Sequence, residues 1–342
     1  MTLLIGAGGT GGHVYPASAL ATELVLRGAE VVWVGRPESL EQRVAAELCV
    51  RFLPLPAAGF FGKGLAGKAL GIVRAMTGVL RCFGLFREAK PDFVVAAGGF
   101  VSAAPLAAAW LQRVPYYLLE QNCVPGRVTR FFAPGAREVF LAFPTEKRVR
   151  GICVVTGGPL RPTMRGGRAD DGRTVLVLGG SLGAQALNLA ALDAAATLTN
   201  LHFIIVTGSR DYAMVRSRVR SHNCELVEFT SRPEELYRRA TIAVSRSGGV
   251  VLSELMAFGI PAILVPFPYA TDGHQEANAR YAVAAGAGIM LDQSGLSGLT
   301  EAVRALIEDG PRRAAMSRAA LNAARPDAAQ RIAERILGCS AG

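Results

Sequence analysis

A chain of 342 residues with a formal net charge of +10 has room for about two domains. Hydrophobic residues make up 51% and charged residues 19%, a balance that fits a globular protein and excludes a disordered one. The positive charge predicts an anionic partner, and no zinc-finger, RNP or basic-zipper motif occurs, so a phosphorylated substrate or acidic lipid is favoured over nucleic acid. The six cysteines form no C-x-x-C pair, which predicts small buried side chains in a reducing compartment.

Short apolar runs alternate with helical patterns, such as the one over residues 16–27, along the whole chain. This alternation predicts parallel sheets with helices on both faces. The predicted strands are 3–5, 31–34, 93–96, 116–119, 139–142, 175–178, 203–206, 226–229, 242–244 and 262–265.

The first strand runs into a loop with five glycines in residues 6–12, followed by His13. Residues 6–11 match the dinucleotide pattern G-x-G-x-x-G, which also requires an acidic residue at the end of the second strand. That strand ends instead at Gly35 and Arg36. Because an arginine there could hold the phosphate of NADP, an NADP-dependent oxidoreductase remains an alternative. In either case the glycines let backbone N–H groups approach an anion.

The opening TLLIGAGGTGGH is echoed by TVLVLGGSLGAQ at 174–185, and the polar, glycine-rich residues 161–173 between them predict a linker. We therefore predict an α/β protein with two Rossmann-like domains around a central cleft. Their predicted bounds are 1–155 and 156–325, and a C-terminal helix at 326–342 is expected to pack back on the first domain. The uncharged residues 93–112 are interpreted as a strand, a glycine turn and a buried helix, not as a membrane span.

A second cluster of polar residues follows two strands of the second half. Glu254 lies in the first two turns of a predicted helix after the glycine turn at 248–249, and its carboxylate could accept both hydroxyls of a ribose. His274, Gln275 and Asn278 open a further helix, from which they can hydrogen-bond sugar hydroxyls. Together these residues predict a nucleotide-sugar site.

Six motifs in this order resemble the MurG family of bacterial peptidoglycan N-acetylglucosaminyltransferases, over roughly residues 3–300. They are GGTGGH at 8–13, EQN at 120–122, GGPLR at 157–161, GGSLGA at 179–184, SRSGG and SE between 245 and 254, and HQxxN at 274–278. The resemblance implies the GT-B fold. It also implies transfer, with inversion, of N-acetylglucosamine from UDP-N-acetylglucosamine to the C4 hydroxyl of undecaprenyl-pyrophosphoryl-N-acetylmuramyl pentapeptide (lipid I), giving lipid II.

The resemblance also assigns residues to the substrates. The residues implied for UDP-N-acetylglucosamine are Thr10, Gly11, Gly12, Asn122, Arg161, Ser181, Thr230, Gly249, Val250, Glu254, His274 and Gln275. The loops implied for the acceptor pyrophosphate contribute Gly8, Gly9, Gly98, Gly99 and Ser102. The chain departs from the family's usual residues at Phe100 (tyrosine), Leu119 (histidine), Gly158 (asparagine), Leu182 (glutamine) and His274 (glutamine), and a histidine can still donate a hydrogen bond at 274.

His13 is the expected general base, because a neutral imidazole is matched to cytoplasmic pH. Glu120 is the competing candidate, with a structural role in the turn at 121–122 as its other interpretation. No D-x-D motif occurs and the one Asp pair, Asp170 and Asp171, falls in the predicted linker, so we expect no cofactor and no bound metal.

Residues 60–90 hold six basic residues against one acidic residue, Glu88, together with many apolar side chains. This composition predicts either an ordinary crossover helix or a basic amphipathic segment that lies on an anionic membrane surface. A lipid-linked substrate favours the second interpretation, and with it peripheral attachment at the cytoplasmic face of the membrane.

Overall fold

The computed structural model describes residues 1–55, 65–180 and 183–338, and in the helix over 65–89 it describes side chains from residue 76 onward. The chain forms two compact units. One consists of Met1–Arg161 with Asp327–Gly342, and the other of Pro162–Pro326. The prediction placed the division at 155 and 156, six residues before the end of the first unit's main segment.

The first unit is a seven-stranded parallel sheet with helices on both faces. Its strands are β1 (Thr2–Gly6), β2 (Glu30–Gly35), β3 (Arg51–Pro54), β4 (Phe93–Ala96), β5 (Tyr116–Glu120), β6 (Glu138–Leu141) and β7 (Cys153–Val155). Its helices up to residue 161 are α1 (Gly11–Leu26), α2 (Leu40–Glu47), α3 (Leu65–Ala89), α4 (Ala103–Gln112) and α5 (Arg127–Phe132). The strand order β3-β2-β1-β4-β5-β6-β7 reverses between β1 and β4.

The second unit repeats this plan with six parallel strands in the order β10-β9-β8-β11-β12-β13. The strands are β8 (Thr174–Leu178), β9 (His202–Val206), β10 (Cys224–Val227), β11 (Ile242–Ser245), β12 (Ala262–Leu264) and β13 (Gly288–Met290). The helices are α6 (Gln185–Thr197), α7 (Tyr212–Arg216), α8 (Pro233–Arg239), α9 (Gly249–Ala257), α10 (His274–Ala284), α11 (Leu299–Glu308) and α12 (Gly310–Ala323).

The last helix, α13 (Ala328–Gly338), belongs to the first unit. Its apolar stripe is buried with the core that α1 covers, and Ile332, Ala333 and Ile336 are inaccessible to solvent. Arg335 adds a bidentate ion pair, with Nε and Nη2 each 2.7 Å from a carboxylate oxygen of Glu138 at the start of β6. The chain therefore crosses back to its first sheet after completing the second.

The predicted fold class is confirmed: both units are Rossmann-like, with parallel sheets covered on both faces. Central strands such as β1 and β8 are buried along their length, so they appear in the sequence as continuous apolar runs. The strands that the sequence analysis missed, β3, β7 and β13, are edge strands of three or four residues with few buried side chains. Strand β10 begins and ends two residues before the predicted 226–229.

The linker prediction is wrong for the second part of residues 161–173. Arg168 donates hydrogen bonds to the carbonyl groups of Ala240 and Thr241, and the Thr241 hydroxyl lies 2.7 Å from Asp170 and 3.0 Å from Asp171. These contacts fix the segment to the base of the second sheet. Polar composition could not distinguish a free linker from one whose polar groups are paired.

Candidate active site

Two glycine-rich loops follow β1 and β4, the two strands between which the order of the first sheet reverses. Ligands of open parallel sheets bind beyond the carboxyl ends of strands at such a reversal. In the second loop Gly98 and Gly99 have φ values of +86° and +76°, which residues with a Cβ rarely adopt. Glycine there is therefore a requirement of the backbone, and it leaves N–H groups open to approach.

His13 lies in the first turn of α1 and contacts the second loop. A Cβ added at Gly98 would lie 3.2 Å from its Cδ2 atom, and one added at Gly99 would lie 3.3 Å from its Nδ1 atom. The same Nδ1 is 3.3 Å from Oγ1 of Thr10, which precedes the helix. The half-buried imidazole is thus fixed by both loops, and any side chain at 98 or 99 would displace it.

Ser102 contacts the backbone of both glycine loops. Its hydroxyl is fully buried and lies 2.7 Å from the carbonyl oxygen of Gly6 and 2.6 Å from that of Gly98. The resemblance assigns Ser102 to the pyrophosphate loops, and the structure shows its side chain joining the two loops instead of facing solvent. Gly9, Thr10, Gly11 and Gly12 form the accessible part of the first loop, while Gly8 is buried.

Glu120, the competing base, is buried and accepts four hydrogen bonds from the loop that follows it and from the start of α5. Oε1 accepts from the backbone N–H and the side-chain amide of Asn122, at 3.1 and 3.3 Å. Oε2 accepts from the N–H of Gly126 at 2.9 Å and from the hydroxyl of Thr129 at 2.7 Å. Both oxygens are engaged, which favours the structural role for Glu120 and explains how Asn122 is held.

Arg161 is the last residue of the first unit's main segment. Its guanidinium carbon lies 4.7 Å from the ring centroid of Tyr15, in the second turn of α1. The predicted boundary assigned Arg161 to the second domain, so the structure moves this residue to the unit that also carries His13.

In the second unit the loop after β8 again depends on glycine. A Cβ added at Gly183 would lie 2.5 Å from the carbonyl oxygen of Thr207 and 2.6 Å from a carboxylate oxygen of Asp211, and its φ is +83°. Ser181, which the resemblance assigns to the diphosphate, lies outside the described residues.

Glu254 projects from the second turn of α9, which begins at Gly249 and Val250. The residue is 6% exposed, and Oε2 accepts a hydrogen bond of 2.7 Å from the hydroxyl of Tyr237 on α8. Tyr237 itself packs against Phe258 with ring centroids 5.4 Å apart. The carboxylate is therefore oriented by a buried tyrosine that the sequence analysis did not identify, because no motif surrounds it.

Gln275 and His274 open α10, and their hydrogen bonds determine which atoms a ligand would meet. Gln275 Oε1 accepts from the N–H of Phe267 at 2.9 Å, so its amide N–H groups are the atoms left to donate. The Nδ1 atom of His274 lies 2.8 Å from the carbonyl oxygen of Thr271. Since a carbonyl only accepts, Nδ1 carries the proton.

Asn278 does not face a ligand, and the prediction that it bonds sugar hydroxyls is wrong. It is fully buried, and its amide donates to the carbonyl oxygen of Ser247. The hydroxyl of Ser247 in turn donates to the carbonyl oxygen of Gln275. These two bonds tie the loop after β11 to the start of α10.

Arg246 is a second residue whose structural role the sequence analysis missed, although it lies inside the SRSGG motif. It is 8% exposed and donates to the carbonyl oxygens of Val265 and Pro266 and, at 2.6 Å, to Gln293. Burial lowers the pKa of its guanidinium. Its position, 5.4 Å from the ring centroid of Phe267, links the loops after β11 and β12.

Thr230 follows β10 by three residues, and its hydroxyl accepts from the N–H of Arg232 at 3.0 Å. Its backbone is therefore shaped by its own side chain.

Elsewhere in the second unit, a cavity of about 440 Å³ lies at the opposite, amino-terminal edge of the sheet, lined in part by Asp171, Arg173 and His202.

In the part of the chain that the structure describes, no three His, Cys, Asp or Glu side chains are grouped so that they could hold a metal ion. The described helices likewise include none with the length and apolarity to cross a bilayer.

The comparisons with known proteins agree with the fold and with the motifs. Residues 3–141 match the glycosyltransferase family 28 N-terminal domain and residues 174–332 match the C-terminal domain. The UDP-N-acetylglucosamine–N-acetylmuramyl-(pentapeptide) pyrophosphoryl-undecaprenol N-acetylglucosamine transferase of Methylococcus capsulatus is 41% identical, with 97% of each chain covered. The protein of the same name from Alkalilimnicola ehrlichii is 38% identical, again with 97% of each chain covered.

Among solved structures, the crystal structure of Acinetobacter baumannii MurG superposes with a TM-score of 0.77 at 26% identity, covering 98% of this chain and 99% of that one. The family resemblance inferred from the six motifs is confirmed, and the oxidoreductase alternative is discarded. Both glycosyltransferase domains and relatives of full length thus lead to one assignment: the chain belongs to glycosyltransferase family 28, in its MurG branch.

Proposed function

We propose that the protein transfers N-acetylglucosamine from UDP-N-acetylglucosamine to the C4 hydroxyl of lipid I, with inversion at the anomeric carbon, and so makes lipid II. The observation that carries the proposal is the imidazole of His13 held between two glycine loops, in a chain 41% identical to a transferase named for this reaction. The glycine loops suit a diphosphate, and the imidazole beside them suits a base for a sugar hydroxyl.

In the proposed reaction the acceptor oxygen attacks the anomeric carbon, and its proton passes to His13. When Nδ1–H donates to Oγ1 of Thr10, the lone pair of Nε2 is the one that accepts this proton. Glu120 is less suited to the task, since four donors already occupy its two oxygens. General-base assistance of this kind contributes about 10²- to 10⁴-fold to the rate.

The second unit is proposed to hold the donor. Glu254 would accept hydrogen bonds from the ribose hydroxyls, and the backbone of Thr230 would meet the uracil. The sugar would accept a hydrogen bond from the amide of Gln275, and one of its hydroxyls would donate to Nε2 of His274, both side chains being fixed by backbone groups. The N–H groups of Gly249 and Val250 lie at the start of α9, where the helix dipole favours an anion.

The bond from the anomeric carbon to UDP breaks as the new one forms, and its electron pair passes to a phosphate oxygen. The start of α9, the Ser181 loop and Arg161 are proposed to meet this charge, with Thr10, Gly11, Gly12 and Asn122 as further donor contacts. Donors positioned where charge develops stabilise a transition state more than the ground state.

Transfer of label from UDP-N-acetylglucosamine to a short-chain lipid I analogue tests the proposal. We expect turnover by the wild type, a loss of turnover with unchanged UDP affinity in His13→Ala, and weakened UDP affinity in Glu254→Ala. Wild-type protein that binds UDP without any transfer would contradict the proposed activity. Normal turnover by His13→Ala would leave the activity in place and remove the base assignment.

We further infer that the first unit binds an anionic membrane surface through residues 60–90 and the helix beside them. Residues 60–64 lie outside the described chain, but Met76 and Leu80 on α3 are exposed one turn apart. Trp110 and Leu111 are exposed on α4, which packs against α3. Exposed basic side chains nearby include Arg81 and Arg87 on α3 and Arg113, which directly follows α4.

Co-sedimentation with vesicles tests the membrane surface. Vesicles with anionic phosphatidylglycerol should retain the wild type, neutral phosphatidylcholine vesicles should retain less, and Leu80→Glu should reduce retention. Leu26→Glu is the matched control, because Leu26, at the end of α1, is exposed to a similar extent as Leu80. Equal loss in both variants, or equal binding to both vesicle types, would contradict the inference.

A further inference from the structure

Arg36 occupies the position after β2 where a dinucleotide-binding protein has an acidic residue. Arg36 lies outside the six motifs that carry the family resemblance. In the structure Arg36 directly follows β2, and its guanidinium carbon lies 5.6 Å from the ring centroid of Phe100. Phe100 belongs to the second glycine loop, and its Cε1 lies 3.5 Å from the point where a Cβ of Gly9 would be. Arg36 is thus stacked on the side chain that reaches between the two loops.

A buried carboxylate fixes this guanidinium. Glu41, in the first turn of α2, is fully buried, and its Oε1 accepts from the backbone N–H of Arg36 at 3.3 Å and from its Nε at 3.0 Å. The same Oε1 would lie 2.5 Å from a Cβ at Gly8, so the carboxylate lies directly against the first loop and requires glycine there. The hydrogen bonds hold the pKa of Glu41 below its usual value although burial, the largest influence, acts in the opposite direction.

The geometry leaves most of the donors of Arg36 unused. Nε is committed to Glu41, whereas no described residue hydrogen-bonds the two terminal nitrogens, which carry four of the five guanidinium N–H groups. The side chain is 34% exposed. An arginine with Nε anchored and Nη groups accessible has the geometry of a phosphate-binding residue.

The charge of the loops makes the same case. Residues 6–13 and 97–102 contain no lysine, arginine, aspartate or glutamate. Backbone N–H groups and the start of α1 supply only about half a positive charge. A diphosphate ligand therefore needs further hydrogen-bond donors from outside the loops, and the terminal nitrogens of Arg36, whose guanidinium stacks on the ring of Phe100, can supply them.

We propose that Arg36 binds the diphosphate of the lipid-linked acceptor, with Glu41 as the residue that positions it. The proposal rests on the proposed function, since it assigns a further contact to the same acceptor. It also explains why a fully buried carboxylate lies against Gly8: the carboxylate orients the guanidinium of Arg36.

Steady-state kinetics with the full-length protein and the short-chain lipid I analogue test the proposal. For Arg36→Ala we expect the KM for the acceptor to rise about ten- to a hundredfold, with the KM for UDP-N-acetylglucosamine within twofold of wild type. The preference for a diphosphate analogue over the corresponding monophosphate should also disappear. Arg36→Lys keeps the charge without the bidentate geometry, so its KM for the acceptor should lie between those of the wild type and Arg36→Ala.

Arg43→Ala is the matched control. It removes the same charge from an exposed position on α2, two residues after Glu41, and should leave both KM values unchanged. Glu41→Gln should raise the acceptor KM, and its effect should vanish in the Arg36→Ala background, because Glu41 acts through Arg36. A melting measurement on each variant identifies any loss of folding, and Arg36→Lys remains informative if Arg36→Ala does not fold.

An unchanged acceptor KM in Arg36→Ala, an equal rise in the Arg43→Ala control, or a rise confined to the donor KM would each overturn the assignment. Binding of NADPH that depends on Arg36 would also overturn it, by making the residue a ribose-phosphate contact. If the wild type itself transfers no label, the proposed function fails; if it transfers label and Arg36→Ala matches it, only this assignment fails.

Discussion

The two units present their candidate sites at the same edge of the same kind of sheet, but they hold them by different means. In the first unit, His13 lies against both glycine loops with Nδ1 3.3 Å from Oγ1 of Thr10, and Glu120 accepts four hydrogen bonds from residues between 122 and 129. In the second unit, Glu254 is oriented by Tyr237 on another helix, and Gln275 by the backbone of Phe267 in the preceding loop.

This difference has consequences for mutation. Where a site is shaped by local backbone, a substitution either removes the reacting group or distorts its loop. Where a site is shaped by side chains from other elements, the effect of a substitution spreads over several weak contacts, each of about 1 kcal/mol. We therefore expect sharp losses in the first unit and graded losses in the second.

The largest expected effect is that of His13→Ala. Removal of the imidazole should lower kcat about 10²- to 10⁴-fold, which is about 3–5 kcal/mol of transition-state stabilisation. The KM for UDP-N-acetylglucosamine should change little, because the donor contacts proposed in the second unit are intact. His222→Ala, in an exposed turn of the second unit, is the control and should retain full turnover. A loss of similar size in both variants would mean that the assay does not report on base catalysis.

Glu120→Gln should lower stability by about 2–3 kcal/mol while leaving substantial turnover in the folded fraction. The amide would place an N–H group against donors from Asn122 or Gly126 and Thr129, so charge-assisted hydrogen bonds are lost in a buried loop. Thermal melting and kcat per folded molecule separate the two effects. If melting is unchanged and turnover is abolished, Glu120 and not His13 is the base.

In the second unit Tyr237→Phe should weaken UDP binding about five- to tenfold, since it removes one hydrogen bond to Glu254 and keeps the ring packed on Phe258. Isothermal titration with UDP measures this loss, and Glu254→Ala should lose more. An identical affinity for UDP in Tyr237→Phe and in the wild type would show that Glu254 needs no orientation from α8. It would also contradict the expectation that the second site depends on side chains from other elements.

The features that could be predicted from the sequence are those encoded by local patterns, and the features that were missed depend on contacts between residues distant in the sequence. The glycine loops, His13 and the order of the motifs are local patterns, and the strands that carry them are continuous apolar runs, so the sequence predicts the fold closely and names candidates for the first site. Tyr237 and the anchoring role of Arg246 act across long sequence distances, on partners that no spacing rule connects. Asn278 is a case in which a local motif misleads. The motif predicted a ligand contact, but the residue is fully buried and its amide donates to the carbonyl oxygen of Ser247.

The smallest expected effect lies at the opposite edge of the second sheet and tests whether that edge is separate from catalysis. Asp171 has a pKa of about 2: burial favours protonation, but the N–H groups of Arg173 and Thr174 and the hydroxyls of Thr174 and Thr241 outweigh it. A lowered folded pKa contributes stability above the unfolded value near 3.8, and this stability is lost as the pH falls toward 2.

Asp171→Asn should therefore lower the free energy of unfolding by about 1 kcal/mol at neutral pH, after allowance for the 41% exposed side chain of Asp171. Urea unfolding should show the wild-type advantage fall to about half near pH 3, with kcat unchanged throughout. An advantage that is independent of pH would mean that Asp171 stabilises the second unit by packing and not by charge.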